Sequence, residues 1–233
     1  TLSKVTGKFN GGFLSLESQL NAKYNKATFS AEGSLDGVDF NQFATSYGSP
    51  GIIEGNGSVL LDLSSKGSTQ KEMIKNLTGP INIKTSSVSL QKISLEKIMC
   101  QGIALINKKP LNQSFPSNTE FASLDANLRF ADGTAKIGPF SADLTSLKLD
   151  GGGKVDLLSN DFSLNLKGTI FESISELDPA CLLDSKYVTL VWPMDCEGNL
   201  SGNSNEWCKV DTANVLAQIG KSTIKDKATK KAK

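Results

Sequence analysis

Apolar and polar side chains alternate with a period of two along several stretches of the chain. The clearest is Leu124, Ala126, Leu128 and Phe130 against Asp125, Asn127 and Arg129. The pattern returns as Ala27, Phe29 and Ala31 against Thr28, Ser30 and Glu32, and as Phe162, Leu164 and Leu166 against Ser163, Asn165 and Lys167. Shorter instances are Val59, Leu61 and Leu63, then Ile81 and Ile83, then Val155 and Leu157. Successive strand side chains point to opposite sheet faces, so each stretch predicts a strand with one face in contact and one in water. Asn10-Gly11-Gly12, Asp132-Gly133 and Gly151-Gly152-Gly153 read as turns between such strands, at spacings that suit antiparallel hairpins and meanders.

Short helices punctuate the strands. Thr69 with Glu72 has the spacing of a reciprocal cap, ahead of a buried stripe of Met73, Ile74 and Leu77. A second helix starts near Asp211, with Val215, Leu216 and Ile219 on one face. Residues 35–43 echo residues 90–98 in apolar pattern: each reads strand, turn, capped helix, with Asp39 and Ser94 at the cap positions. These helices are too few and too short to cover so many apolar strand faces. Two sheets packed as a sandwich would solve this, and so would one curved sheet whose groove is filled by an apolar ligand or a neighbouring chain. Periodicity does not choose between them.

Composition narrows the function classes. The 233 residues suffice for a sizeable core and predict one extended β domain over residues 1–220. Residues 221–233 form a lysine-rich tail, with Lys225, Lys227, Lys230, Lys231 and Lys233, expected to lack fixed structure and to be either simply solvated or drawn to anionic head groups. Lys plus Arg number 25 against 24 Asp plus Glu, a formal charge of +1, which is too neutral for a nucleic-acid partner. No run reaches the roughly 18 to 20 apolar residues of a spanning helix, and residues 1–30 lack a signal-peptide pattern. The chain opens inside strand-like alternation, Val5 and Phe9 against Thr6 and Lys8, which suggests a piece of a longer protein whose anchor lies upstream.

Histidine is absent, which removes the commonest general base and metal ligand, and no cofactor or metal is expected. Gly151-Gly152-Gly153 has neither dinucleotide nor phosphate-loop spacing. Asp36, Asp39, Asp125 and Asp178 each have an ordinary place in a turn, a cap or a polar strand face, so no carboxylate pair is assigned and the chain reads as non-enzymatic. Four cysteines permit three pairings. Cys196 with Cys208 is favoured, because the Gly/Asn-rich stretch between them favours turns, and Cys100 with Cys181 then follows. Such cystines suit an oxidising compartment. Trp192 and Trp207, near these cysteines, read as core packing, with Val191-Trp192-Pro193 as a strand edge ending at proline.

Residues 118–157, NTEFASLDANLRFADGTAKIGPFSADLTSLKLDGGGKVDL, resemble the most recognisable stretch of AsmA C-terminal regions. Upstream, KGSTQKEMIKNLTGPINI resembles that family's short helix and Leu-x-Gly turn into a strand, and SLQKISLEKIM its strand-to-helix step; residues 177–211 resemble its terminal segment. Where the family often has Gly-Ile-Asp-Leu, this chain has Lys92-Ile93-Ser94-Leu95, which loses the glycine and keeps a capping residue.

The resemblance implies a mainly β fold, a large curved antiparallel sheet forming a groove or half-pipe, with a few short α-helices. It further implies a periplasmic module of an inner-membrane-anchored protein in a double-membraned bacterium. Its role there would be phospholipid transport between inner and outer membrane and outer-membrane biogenesis. Phospholipid acyl chains are the expected partner, with a scaffold for another envelope protein as the alternative. A carbohydrate-binding or hydrolytic β protein ranks last, for want of clustered aromatics. The candidate groove positions are Phe29, Val59, Leu61, Ile83, Leu128, Phe130, Val155 and Leu164.

Overall fold

Two turns show how local sequence sets the sheet. Asn10 and Gly11 take φ of 44° and 80°, and Asp132 and Gly133 take 53° and 73°. Positive φ at both central residues matches the twist of the flanking strands, and Asn-Gly and Asp-Gly tolerate it best. The first turn joins β1 (Val5–Phe9) to β2 (Gly12–Asn21), the second β7 (Ser123–Ala131) to β8 (Thr134–Asp143). The computed structural model describes residues 4–23, 25–46, 51–170, 174–184, 187, 190–202 and 206–231. Residues 203–205, between Cys196 and Cys208, and 232–233 of the lysine-rich end lie outside the described residues.

The other strands are β3 (Ala27–Asp39), β4 (Ile53–Gly67), β5 (Gly79–Leu90), β6 (Thr119–Phe121), β9 (Leu147–Asp156), β10 (Asp161–Ile170), β11 (Val191–Asn199) and β12 (Cys208–Val210). Among the described residues the twelve strands form one open antiparallel sheet, not closed into a barrel. The order is β1-β2-β3-β4-β5-β7-β8-β9-β10-β11-β12, with β6 paired to the end of β5. The fold is therefore a single open sheet and not a sandwich. Register shifts at Leu35/Val38, Asn56/Gly57, Asp125/Leu128 and Ile137/Phe140 mark bulges, which bend the strands and raise their twist.

Gly151-Gly152-Gly153 is not a turn. It lies within β9, where Gly151 pairs with Leu166 and Gly153 with Leu164. A Cβ at Gly151 would meet Leu166 Cδ2 at 2.7 Å, and one at Gly153 would meet Leu164 Cδ2 at 2.8 Å. The glycines make room for leucines of the next strand. The actual turn follows at residues 157–160, where the Asp156 carboxylate accepts the N–H groups of Leu158 and Ser159 at 2.8 and 2.9 Å. Val191-Trp192-Pro193 opens a strand instead of ending one: β11 starts at Val191, and Pro193 faces the β12 side just outside that ladder, which begins at Met194, while its carbonyl accepts from Asp211 N–H at 2.9 Å.

Among the described residues there are four α-helices: α1 (Phe40–Ser46), α2 (Gln70–Lys75), α3 (Leu95–Asn107) and α4 (Thr212–Lys231). Asp39 caps α1 by accepting from Asn41 and Gln42 N–H at 2.9 and 3.0 Å. Ser94 caps α3 through Lys97 N–H at 3.3 Å. At α2, Thr69 accepts from Glu72 N–H at 3.1 Å, while the Glu72 carboxylate reaches the N–H of Ser68 at 2.8 Å. Met73, Ile74 and Leu77 are only half-buried there. The backbone of α4 stays helical through the lysine-rich segment to Lys231.

Most fully buried apolar side chains gather in one cluster at the C-terminal side of the sheet, under α3, α4 and two 3₁₀ turns, Ile174–Glu176 and Pro179–Cys181. Leu95, Met99, Cys100 and Ile103 of α3 meet Leu149, Leu166, Trp192 and Met194 of the sheet. Gly168 lets this happen, since a Cβ there would collide with the Met99 methyl.

Candidate functional site: an apolar sheet face without cover

Residues paired across strands project from the same face. One row can be followed from edge to edge. Val5 pairs with Leu16, Leu16 with Gly33, Gly33 with Leu61, Leu61 with Ile81, Ile81 with Leu128 and Leu128 with Ile137. Ile137 then pairs with Gly153, Gly153 with Leu164, Leu164 with Cys196 and Cys196 with Cys208. Neighbouring rows hold Leu14, Leu35, Val59, Ile83 and Ala126, and also Phe130, Ala135, Val155 and Phe162. Phe29 sits between Leu20 and Ser65 on the same side. All eight candidate groove residues therefore share one face, and all eight are half-buried.

Cover divides that face. Val155 and Leu164 pack against the buried cluster, and Phe29, Val59, Leu61, Ile83, Leu128 and Phe130 lie outside it. At the N-terminal side, α1 and α2 reach only strand ends and turns: the Phe40 ring lies over Gly57, Phe43 stands edge-on to Phe9 of β1 with ring centroids 6.4 Å apart, and Glu72 lies over Gly67. Leu20, at the outer end of its row, is 52% exposed. From β1 to β7 the open region spans six neighbouring strands, about 24 Å across at about 4.8 Å per strand. That exceeds the roughly 15 Å half-thickness of a bilayer's hydrocarbon. At one end of β4, β5 and β7, Ile53, Val88, Leu90 and Leu124 join the buried cluster, and Ala31 and Leu35 are buried by their neighbours.

The charge pattern sharpens the division. Along β1 to β5 and β7 the uncovered face presents only apolar residues, glycine, serine and threonine, and no ionisable side chain. Lys8, Glu17, Glu32, Asp62, Lys84, Asp125 and Arg129 all occupy the alternate positions on the opposite face. An ion on the first face would lose hydration against the sheet without a partner, whereas a hydrocarbon loses nothing.

The four aspartates singled out in the sequence are not brought together. Asp36 accepts from Ser34 Oγ at 3.0 Å, Asp39 caps α1, and Asp125 lies on the outer strand face beside Lys84 and Ser141. Asp178 is fully buried and structural. It accepts from Ala180 N–H at 2.8 Å, and from Asn112 and Gln113 N–H at 2.7 and 2.8 Å, stitching the segment after α3 to the second 3₁₀ turn. These N–H groups, Ala180 first, hold its carboxyl below the usual aspartate range. Among the described residues no cluster of three or more potential metal ligands occurs.

The cysteines form Cys100–Cys181, 81 residues apart, and Cys196–Cys208, 12 apart, with Cα–Cα distances of 5.1 and 4.0 Å. The first ties α3 to the turn that Asp178 caps. The second joins facing residues of β11 and β12. Trp192 is fully buried, and Trp207 stands edge-on to Phe162, ring centroids 5.0 Å apart, beside Gly198. Both indoles serve the covered half.

Several residues of the uncovered face lie outside the eight candidates, notably Val5, Leu14 and Leu16. The alternation Leu14-Ser15-Leu16-Glu17 contains the signal for the last two. No described helix is long and apolar enough to cross a membrane.

A family model described as AsmA family matches residues 1–140, more than half of the chain. The match takes in β1 to β7, the whole uncovered region, and most of β8. No curated protein and no solved structure matches.

Proposed function

The chain belongs to the AsmA family, and from that premise we propose that it is a non-enzymatic module that shelters phospholipid acyl chains against the uncovered face of β1 to β7. In this reading it works in the periplasm, as part of a protein anchored in the inner membrane by a segment outside this sequence, and contributes to phospholipid transport to the outer membrane and to outer-membrane biogenesis. The observation that carries the reading is the charge-free apolar face of β1 to β7, over whose middle no described helix lies. An acyl chain laid there leaves water at about 25 cal/mol per Å², or about 0.8 kcal/mol per methylene. The head group remains solvated at the rim, so movement along the face requires no covalent step. Two disulfides are consistent with an oxidising compartment outside the cytoplasm.

The test is native mass spectrometry with lipid extraction on the chain purified without detergent. Stoichiometric phospholipid is expected. Leu61→Asp combined with Ile83→Asp should remove it, while thermal unfolding shows a folded protein. An empty, folded chain that instead retains a copurifying envelope polypeptide would replace this reading with the scaffold alternative.

A further inference from the structure

The end of the chain differs in kind from the rest. Residues 221–233 contain six lysines and one aspartate, with no arginine and no aromatic residue. Residues 1–220 are net acidic, nineteen basic against twenty-three acidic side chains. The first turns of α4 are fixed to the body: Val215 is fully buried, Ile219 packs against the core, and Gln218 Nε2 donates to the Val191 carbonyl at 3.0 Å. At Gly220 a Cβ would meet nothing within 4 Å, and the backbone continues helical to Lys231. Eleven further helical residues extend about 16 Å.

We propose that residues 221–233 are an electrostatic dock for an anionic phospholipid bilayer. Lysine is a compact, strongly hydrated point charge, suited to a diffuse field of head groups. Fork-like phosphate recognition favours arginine, and single-stranded nucleic acid favours aromatic stacking platforms, both missing here. The acidic body leaves this segment as the one strongly basic stretch that a negative surface would attract. The inference extends the lipid reading, because loading or unloading an open apolar face requires contact with a bilayer.

Flotation of the intact chain is measured with vesicles of phosphatidylcholine alone and of phosphatidylcholine mixed with phosphatidylglycerol. Binding is expected only to the mixed vesicles and should vanish in 1 M salt, where screening acts within about 3 Å. Lys225→Gln, Lys227→Gln and Lys230→Gln together should weaken partition about a hundredfold, at about fivefold per lysine near the surface. The same variant keeps any phospholipid that copurifies in the groove, and the Leu61→Asp, Ile83→Asp variant keeps vesicle binding, so the two readings fail separately. Equal binding by the triple variant, equal binding to phosphatidylcholine alone, or tighter binding to a short duplex DNA would overturn the proposal.

Discussion

Strands β2 and β10 follow one rule and meet two fates. Leu14-Ser15-Leu16-Glu17 and Phe162-Ser163-Leu164-Asn165-Leu166 alternate alike, yet Phe162 and Leu166 are buried and Leu14 and Leu16 are half-buried. The difference lies not in the strands but in what the chain lays over them. Around β10, α3 supplies Met99, Cys100 and Ile103, a disulfide fixes α3 in place, and glycines admit the close approach. Around β2 a glycine also admits a neighbour, since Gly33 of β3 makes room for Leu16, but among the described residues no helix with a buried apolar face and no disulfide lies over these leucines. An amphipathic strand states which side is apolar; whether that side becomes core or surface is decided by sequence-distant elements.

The largest effect separating the halves is expected from side-chain truncation. Trp192→Ala, in the closed half, should cost about 3–5 kcal/mol in denaturant unfolding. Leu61→Ala, in the open half, should cost about 1 kcal/mol, because a half-buried side chain leaves no enclosed cavity. Equal costs would mean that the N-terminal face is as tightly packed as the other. Opening the disulfides comes next. In the loop-entropy account, replacing Cys100 and Cys181 by serine loses about 4 kcal/mol, and replacing Cys196 and Cys208 about 3 kcal/mol. Hydrogen exchange should show the first loss concentrated in α3 and the strands below it.

Acid should also act on the closed half. The carboxyl of Asp178 is held low by N–H donors, so its contribution is complete above the ordinary aspartate pKa of about 3.9 and is lost as pH falls through its lower folded value. The carboxyls of Asp156 and Asp161 are also held low, by the Ser159 N–H and the Asn199 side chain respectively, and give a shallower background. Asp178→Asn should flatten the acid limb of the stability profile, read by near-ultraviolet circular dichroism of the buried tryptophan. The smallest effect belongs to the outer face: Leu60, 55% exposed, should tolerate serine within about 0.5 kcal/mol.

Strand positions and hairpin turns were legible because both are local: alternation needs only neighbouring residues, and Asn10-Gly11 and Asp132-Gly133 carry their own backbone preference. Gly151-Gly152-Gly153 misleads a local reading because the reason for Gly151 and Gly153 is held by Leu164, Leu166 and Phe140, and that for Gly152 by the backbone of Ile137 and Gly138, all of which arrive from the flanking strands. Open sheet or sandwich was likewise beyond periodicity. The answer depends on α3, whose cap at Ser94 is visible in sequence, while its reach across to Gly168 and its tie to Cys181 are tertiary facts. Alternation alone points to the eight groove positions, and register places them on one face; that two of them, Val155 and Leu164, meet the covered cluster depends on where α3 lies.

The most direct test of the central claim is a photo-crosslinking map across that face. A photoreactive side chain is placed singly at Leu16, Leu61 or Leu128 in the open half and at Leu149 or Leu166 in the closed half, and adducts are identified by mass spectrometry after expression in a bacterium with two membranes. The account predicts phospholipid adducts at the first three positions and intramolecular adducts at the other two. Phospholipid adducts at Leu149 and Leu166, or their absence from all three open positions, would contradict it.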